Sequence, residues 1–163
     1  MKGETVFHPI PPEADGQAEI LILGSFPSVA SREAAYFYGH PQNRFWRVLA
    51  AVYGDAVPQT VAEKKELLHR YRVALWDVIA SCRITGSADS SISEVQANDL
   101  RPLLAKNPIG AIFVNGKTAA RYYKRLIEPV IGRPAVCLPS TSPANAACSL
   151  QELVAAWRVI AAQ

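Results

Sequence analysis

Three cysteines are all the sequence contains, Cys82, Cys137 and Cys148, an odd number set far apart and without a C-x-x-C pair. That scarcity argues against a disulfide framework, a cysteine zinc site or a dithiol redox motif, and reduced thiols are expected. Histidines are as few, His8, His40 and His69, and equally scattered. No metal is therefore expected. Nor does any uninterrupted apolar run approach the ~18–20 residues that a spanning helix needs. A cytoplasmic protein with no membrane partner is the expectation. The phosphate loops G-x-x-x-x-G-K-[ST] and G-x-G-x-x-G are missing, as is a G-x-S-x-G nucleophile elbow. Their absence weakens nucleotide-cofactor and serine-hydrolase readings, and no cofactor is expected. A strong excess of one charge is lacking too. The 17 Lys and Arg against 14 Asp and Glu give +3, which permits a polyanionic partner without demanding one.

What the sequence does have is core-forming material. Half of its 163 residues are hydrophobic and only 19% are charged, which suits one folded domain over residues 1–163 and argues against disorder. Residues 1–17, rich in Pro and Gly, read as an irregular segment wrapped around the outside. The run Glu19 to Leu23, stopped by Gly24, reads as a buried parallel strand. From Asn43 the period changes: Phe45, Val48, Leu49 and Val52 share one helical face, and Gly54 ends it. Thr60-x-x-Glu63 is a capping box for a helix through Arg70. Val73 to Ile79 reads as a second strand, and the polar stretch Ser81 to Gln96 as a long loop. A short helix follows around Asp99 to Lys106, then a strand from Ile109 to Val114 and a helix from Lys117 to Ile127. Ala135 to Leu138 is the fourth strand. The capping box Ser149-x-x-Glu152 opens a last helix with Leu153, Ala156, Trp157 and Ile160 on one side.

Strands alternating with helices imply an α/β protein with a parallel sheet covered on both faces, because parallel neighbours need crossover connections. Ligands of such sheets bind outside the carboxyl ends of the strands. The first strand leads into Gly24-Ser25-Phe26-Pro27 and on to Tyr36-Phe37-Tyr38-Gly39-His40-Pro41-Gln42-Asn43-Arg44-Phe45-Trp46. The third leads into Asn115-Gly116-Lys117, the fourth into Pro139-Ser140-Thr141-Ser142-Pro143-Ala144-Asn145. Aromatic rings offer stacking surfaces, asparagine amides pair with base edges, and small loops let backbone approach phosphates. From the residues alone, the expectation stops at an aromatic, amide-lined site.

These segments, in this order and spacing, resemble the uracil-DNA glycosylase superfamily. G-S-F-P, the aromatics before H-P-x-N, and L-P-S-T-S-P-A-N look most like its hypoxanthine-DNA glycosylase family. The Leu75-Trp76-Asp77-Val78-Ile79 and Val114-Asn115-Gly116 segments are similar to that family's connecting motifs. The resemblance runs from about Glu19 to the end of the sequence. It implies a three-layer α/β/α sandwich around a four-stranded parallel sheet, without metal or cofactor. It also implies a nucleotide flipped out of double-stranded DNA into a pocket at the strand ends. One position departs from the mismatch-specific uracil enzymes, whose G-I-N-P motif carries a catalytic asparagine where Phe26 stands. In the hypoxanthine family that role falls to the asparagine of H-P-x-N, here Asn43.

The resemblance thus implies a monofunctional, base-excision-repair hydrolase that removes a deaminated base, hypoxanthine before uracil. A mismatch-specific uracil or thymine glycosylase, or a non-catalytic nucleic-acid module of the same fold, are the alternatives. Asn43 caps its helix, positions the water or base, or does both, and the resemblance favours the catalytic role. Phe26, Tyr36 and Tyr38 either wall the base or simply pack in the core. Gly24, Ser25 and Pro27 complete that substrate loop. His40 either touches the substrate or shapes a turn. Asn115 reads the base edge or takes a tight turn. Ser140, Thr141, Ser142, Pro143, Ala144 and Asn145 form the expected DNA-gripping loop, with Lys117 beside it. Asp77, a lone carboxylate in an apolar strand, has a functional and a structural reading, and Arg32, Arg44 and Arg121 are phosphate-contact candidates. Nothing calls for an oligomer, and a monomer is expected.

Overall fold

A computed structural model describes residues 3–163. In chain order it begins with β1 (Glu4–Phe7), β2 (Ile20–Gly24), α1 (Val29–Ala34), α2 (Phe45–Tyr53) and α3 (Val61–Arg70). Then come β3 (Val73–Asp77), β4 (Ile79–Ile84), β5 (Ser93–Ala97) and α4 (Arg101–Lys106). The rest is β6 (Ala111–Asn115), α5 (Lys117–Tyr122), α6 (Glu128–Ile131), β7 (Val136–Leu138) and α7 (Leu150–Trp157).

Four strands form the parallel sheet, in the order β3-β2-β6-β7. Strand β2 is apolar at every side-chain position because both of its faces are covered. Ile20 and Ile22 point to one face, with Val73, Leu75 and Phe113, under Phe45, Val48 and Leu49 of α2, Leu67 and Leu68 of α3, and Leu153 and Trp157 of α7. Leu21 and Leu23 point to the other, with Ala74, Ile112 and Val114, under Leu103 of α4 and Ala119 and Tyr122 of α5. Each aliphatic side chain so buried stabilises the fold by about 1.5–3 kcal/mol.

The helix ends follow local chemistry. Thr60 Oγ1 accepts the Glu63 N–H at 3.1 Å, and Ser149 with Glu152 closes a reciprocal capping box on α7. Leu153, Trp157 and Ile160 of the final stripe are buried, whereas Ala156 is exposed. The helix from Lys117 reaches Ile127, with a π-helical turn over Tyr123–Ile127.

Three expectations need correction. Residues 4–7 of the segment expected to be irregular are a strand, β1, paired antiparallel with β4; Met1 and Lys2 lie outside the described residues. The run Val73 to Ile79 spans the end of one strand and the start of another: β3 stops at Asp77 in the parallel sheet, and β4 begins at Ile79 in the antiparallel one. Ser81 to Gln96 is not one loop: it holds most of β4, a 3-10 turn and most of β5, and β1-β4-β5 form a second, antiparallel sheet. That sheet has one face on the core, through Val6, Cys82, Ile84 and Val95, so its apolar signal is only every second residue. Helix α1, between the two halves of the substrate loop, was not foreseen. Among the described residues no helix is long and apolar enough to cross a membrane.

Candidate active site

The parallel strands end at Asp77, Gly24, Asn115 and Leu138, side by side. Asn115 is the hub. Its Oδ1 accepts Thr141 N–H at 3.1 Å, and its Nδ2 donates to Thr141 Oγ1 at 3.0 Å and to the Tyr38 hydroxyl at 3.3 Å. The Thr141 hydroxyl donates in turn to Asn43 Oδ1 at 2.9 Å. That oxygen also accepts the Phe45 N–H at 2.9 Å, so Asn43 caps the first helical N–H of α2 from two residues before it. With both jobs falling on Oδ1, the orientation of the amide is fixed. Its Nδ2 group meets no acceptor among the described residues, nor is it sealed from solvent.

Tyr38 is held from three directions. Its ring stacks on Phe45 with centroids 4.0 Å apart, its hydroxyl meets Asn115, and its φ is +53°. A left-handed tyrosine costs about 1–2 kcal/mol, a strain found where geometry serves a site. Burial, reinforced by Asp77, pushes its phenol well above the usual value. Asp77 is 4% exposed, and its Oδ2 lies 2.7 Å from His8 Nε2. Gly24 makes this packing possible, because a Cβ there would run into Asp77 Oδ1 and stand 3.2 Å from the Tyr38 hydroxyl. Phe26 packs edge-on to His8 at 5.9 Å, with the Arg32 guanidinium 5.4 Å from its ring centre. Pro27 O accepts from Arg32, and Ser25 Oγ donates to Asp89 at 3.2 Å. Asp89 is exposed as a residue, yet atoms crowded around its carboxylate raise its pKa; Ser25 opposes and Asp77 reinforces that shift.

The Ser140–Asn145 loop is folded on itself. Ser142 N–H bonds Ser140 Oγ, Ala144 N–H bonds Ser142 Oγ, and Asn145 Nδ2 bonds Ser140 O. Arg44, the residue just before α2, clasps it by donating to the carbonyls of Asn145 and Cys148. Thr141 is fully buried, whereas Pro143 and Ala144 form an exposed tip. Gly116, at φ +95°, lets the start of α5 pass Ser140, whose Cβ would be 3.1 Å from any side chain there. Lys117 is exposed beside it.

The structure thus brings together Gly24, Tyr38, Asn43, Asn115 and Thr141, with Ser25, Phe26 and Pro27 alongside. Tyr36 is not among them: its hydroxyl donates to Glu13 at 3.1 Å and its ring lies over Trp46, in the core beneath α2. His40 shapes a turn, its Nδ1 accepting Gln42 N–H and its carbonyl Asn43 N–H. Arg44 serves the loop, and Arg121 lies over the Tyr122 ring. His8 was missed, and no local signal marks it, since it is 69 residues from Asp77. Two cavities of about 290 Å³ lie elsewhere, at the amino ends of the strands and on α7. Neither hollow gathers convergent polar groups of the kind at the carboxyl ends of the strands, which are what chemistry needs.

A parallel sheet with an amide hub and a small-residue loop at its carboxyl end defines a class. The chain belongs to the uracil DNA glycosylase superfamily, whose family model matches residues 11–161. It is therefore a DNA glycosylase, with DNA as its substrate. Among particular relatives, the hypoxanthine DNA glycosylase of Methanosarcina acetivorans is 37% identical over 140 residues, covering 83% of this chain and 85% of the relative. The protein of the same name from Methanosarcina barkeri is 34% identical over the same shares. A solution NMR structure of a candidate uracil DNA glycosylase from Methanosarcina acetivorans superposes with a TM-score of 0.78 at 32% identity, covering 99% of both chains.

Proposed function

We propose that the protein, acting as a monomer of one domain, flips a deaminated nucleotide from double-stranded DNA and hydrolyses its N-glycosidic bond. Hypoxanthine, in deoxyinosine, is the preferred base. The carrying observation is the orientation of Asn43: Oδ1 is used twice, by Phe45 N–H and the Thr141 hydroxyl, so a ligand meets Nδ2. An amide NH₂ donates and is no base. Donors suit a departing purine, because negative charge builds on the ring as the bond to the sugar breaks. Hypoxanthine offers ring-nitrogen and carbonyl acceptors, so one amide both recognises it and eases its departure.

Phe26 stands where the mismatch-specific uracil enzymes carry an asparagine, which weakens a uracil reading. The names of the two Methanosarcina relatives support the same base. Ser25, Phe26, Pro27 and Tyr38 would wall the flipped base. The exposed Pro143-Ala144 tip, on a loop braced by Arg44, would enter the minor groove. Lys117 beside it would meet a phosphate.

The test is excision from end-labelled duplexes holding one deoxyinosine, one uracil or neither, with abasic sites cleaved by alkali. Asn43→Ala removes cap and donor together; Asn43→Asp keeps the cap oxygen and replaces the donor by a charged acceptor oxygen. Cutting at deoxyinosine, lost in both variants while circular dichroism stays native, is the expected result. Cutting at uracil alone would overturn the substrate, and an active Asn43→Asp protein the role of the amide.

A further inference from the structure

We infer that Asp77 is the counter-ion of the sugar cation formed during base excision, and that His8 is the positioning residue that aims it. This rests on the glycosylase reading above. Asp77 closes β3 at its carboxyl end, opposite Gly24 on β2, where ligands of parallel sheets bind. Its Oδ2 lies 2.7 Å from His8 Nε2. The other ring nitrogen, Nδ1, accepts Ile10 N–H at 3.2 Å and so carries no proton. The donor of the ring is then Nε2–H, which points at the Asp77 carboxylate. Among the described residues no Lys or Arg forms an ion pair with Asp77. A structural role alone does not account for a buried carboxylate left without a cation, because such a group is costly to bury.

The free half of the carboxylate faces the site. Oδ1 accepts no hydrogen bond among the described residues, yet it is not sealed off, since Tyr53 Oη is the unpaired side-chain atom that is. It reaches over Gly24, where a side chain would collide with it and approach the Tyr38 hydroxyl to 3.2 Å. The bare backbone at position 24 keeps that space open. His8 is itself fixed, edge-on to Phe26 at 5.9 Å and to Trp76 at 6.3 Å. As the bond from C1′ to the purine nitrogen breaks, its electron pair leaves with the base and positive charge spreads over the sugar. The oxygen of a water then bonds C1′, and the water's proton ends on the purine. A fixed anion stabilises that cation and leaves the neutral substrate almost untouched, which is how binding becomes rate.

The test compares binding of the whole protein to duplexes with a neutral tetrahydrofuran or a cationic pyrrolidine in place of the nucleotide. Single-turnover excision from a deoxyinosine duplex is measured alongside. Wild type should prefer the cationic duplex by about tenfold or more. Asp77→Asn should lose that preference, keep its affinity for the neutral duplex, and excise about a hundredfold more slowly. His8→Ala keeps the carboxylate but not its aim, and should lose about tenfold in rate with neutral-duplex affinity unchanged. A pair that merely tethers the amino-terminal segment would lower Tm in both variants while leaving preference and rate as in wild type. That result, or a wild type without preference, overturns the inference. Should Asp77→Asn not fold, His8→Ala decides on the same readouts. A wild type that prefers the cationic duplex and leaves deoxyinosine uncut would support Asp77 and overturn only the hypoxanthine reading.

Discussion

Asn115 grips Thr141 twice, at its backbone N–H and at its hydroxyl, and Thr141 passes the second contact on to Asn43. The carboxyl end of β6, the loop after β7 and the start of α2 are thereby one hydrogen-bonded unit. Because Thr141 is fully buried, Thr141→Val replaces Oγ1 by a methyl and leaves two amides short of a partner. The expected loss is about 0.5–1.5 kcal/mol for each hydrogen bond removed, because Asn115 Nδ2 still meets the Tyr38 hydroxyl and Asn43 Oδ1 the Phe45 N–H; it is read by chemical denaturation. Asn43 is then held by Phe45 N–H alone, so excision should slow while DNA affinity holds. Thr141→Ser restores the hydroxyl and should restore the rate. A Thr141→Val protein with wild-type excision would mean that Asn43 does not depend on this contact.

Lys117 opens α5 beside the Gly116–Ser140 contact and is exposed. Lys117→Ala should leave Tm unchanged and weaken binding to every duplex alike, with or without a lesion. The slope of log affinity against log salt should fall by about one, the value for a single phosphate contact. A loss confined to deoxyinosine duplexes would place the lysine at the base instead.

Asp89 predicts an unusual pH response. Atoms around its carboxylate, with Asp77 nearby, raise its pKa in the folded protein, although Ser25 and Thr118 pull the other way. A raised carboxyl favours the folded state when protonated. The ionised group therefore works against folding above its folded-state pKa, and the penalty disappears below the unfolded value of about 3.9. Asp89→Asn keeps an oxygen for Ser25 and carries no charge. It should raise Tm at pH 7, and the gain should shrink towards pH 4. A Tm difference that is constant with pH would assign the effect to something other than charge.

The order of the parallel strands and their helices was legible because burial on both faces writes itself as continuous apolar runs, as in Ile20–Leu23. The small sheet was not, because a strand with one wet face shows only Cys82 and Ile84 among polar neighbours, and in β1 Val6 packs on the core while the adjacent Phe7 is exposed. At the site, the asparagines were visible as motif residues, and Asn43 proved to be cap and hub partner at once. Tyr36 misled because its position beside Tyr38 says nothing about direction: one ring faces Glu13, the other Asn115. His8 was invisible for a different reason. Its partner is set by the pairing of β1 with β4, a long-range register that no local pattern contains.

Arg44 illustrates the same point for charge, since a phosphate-contact candidate turned out to be a brace. One guanidinium nitrogen donates to Asn145 O at 3.0 Å and the other to Cys148 O. Only a planar fork reaches two carbonyls three residues apart while its own backbone N–H bonds Thr141 O at 3.1 Å. Arg44→Lys keeps the charge and loses one of the two contacts. Hydrogen bonds from charged groups contribute about 1.5–3 kcal/mol, so a drop of about that size in stability is expected by denaturation. The consequence for activity should lie in binding more than in chemistry. A loosened Ser140–Asn145 loop weakens capture of DNA, whereas Asn43 remains fixed through Thr141. The concentration of DNA giving half-maximal excision should therefore rise several-fold in Arg44→Lys, with the rate at saturation within about twofold of wild type. Were the arginine a direct phosphate contact, lysine would serve nearly as well, and both quantities would stay close to wild type at low salt.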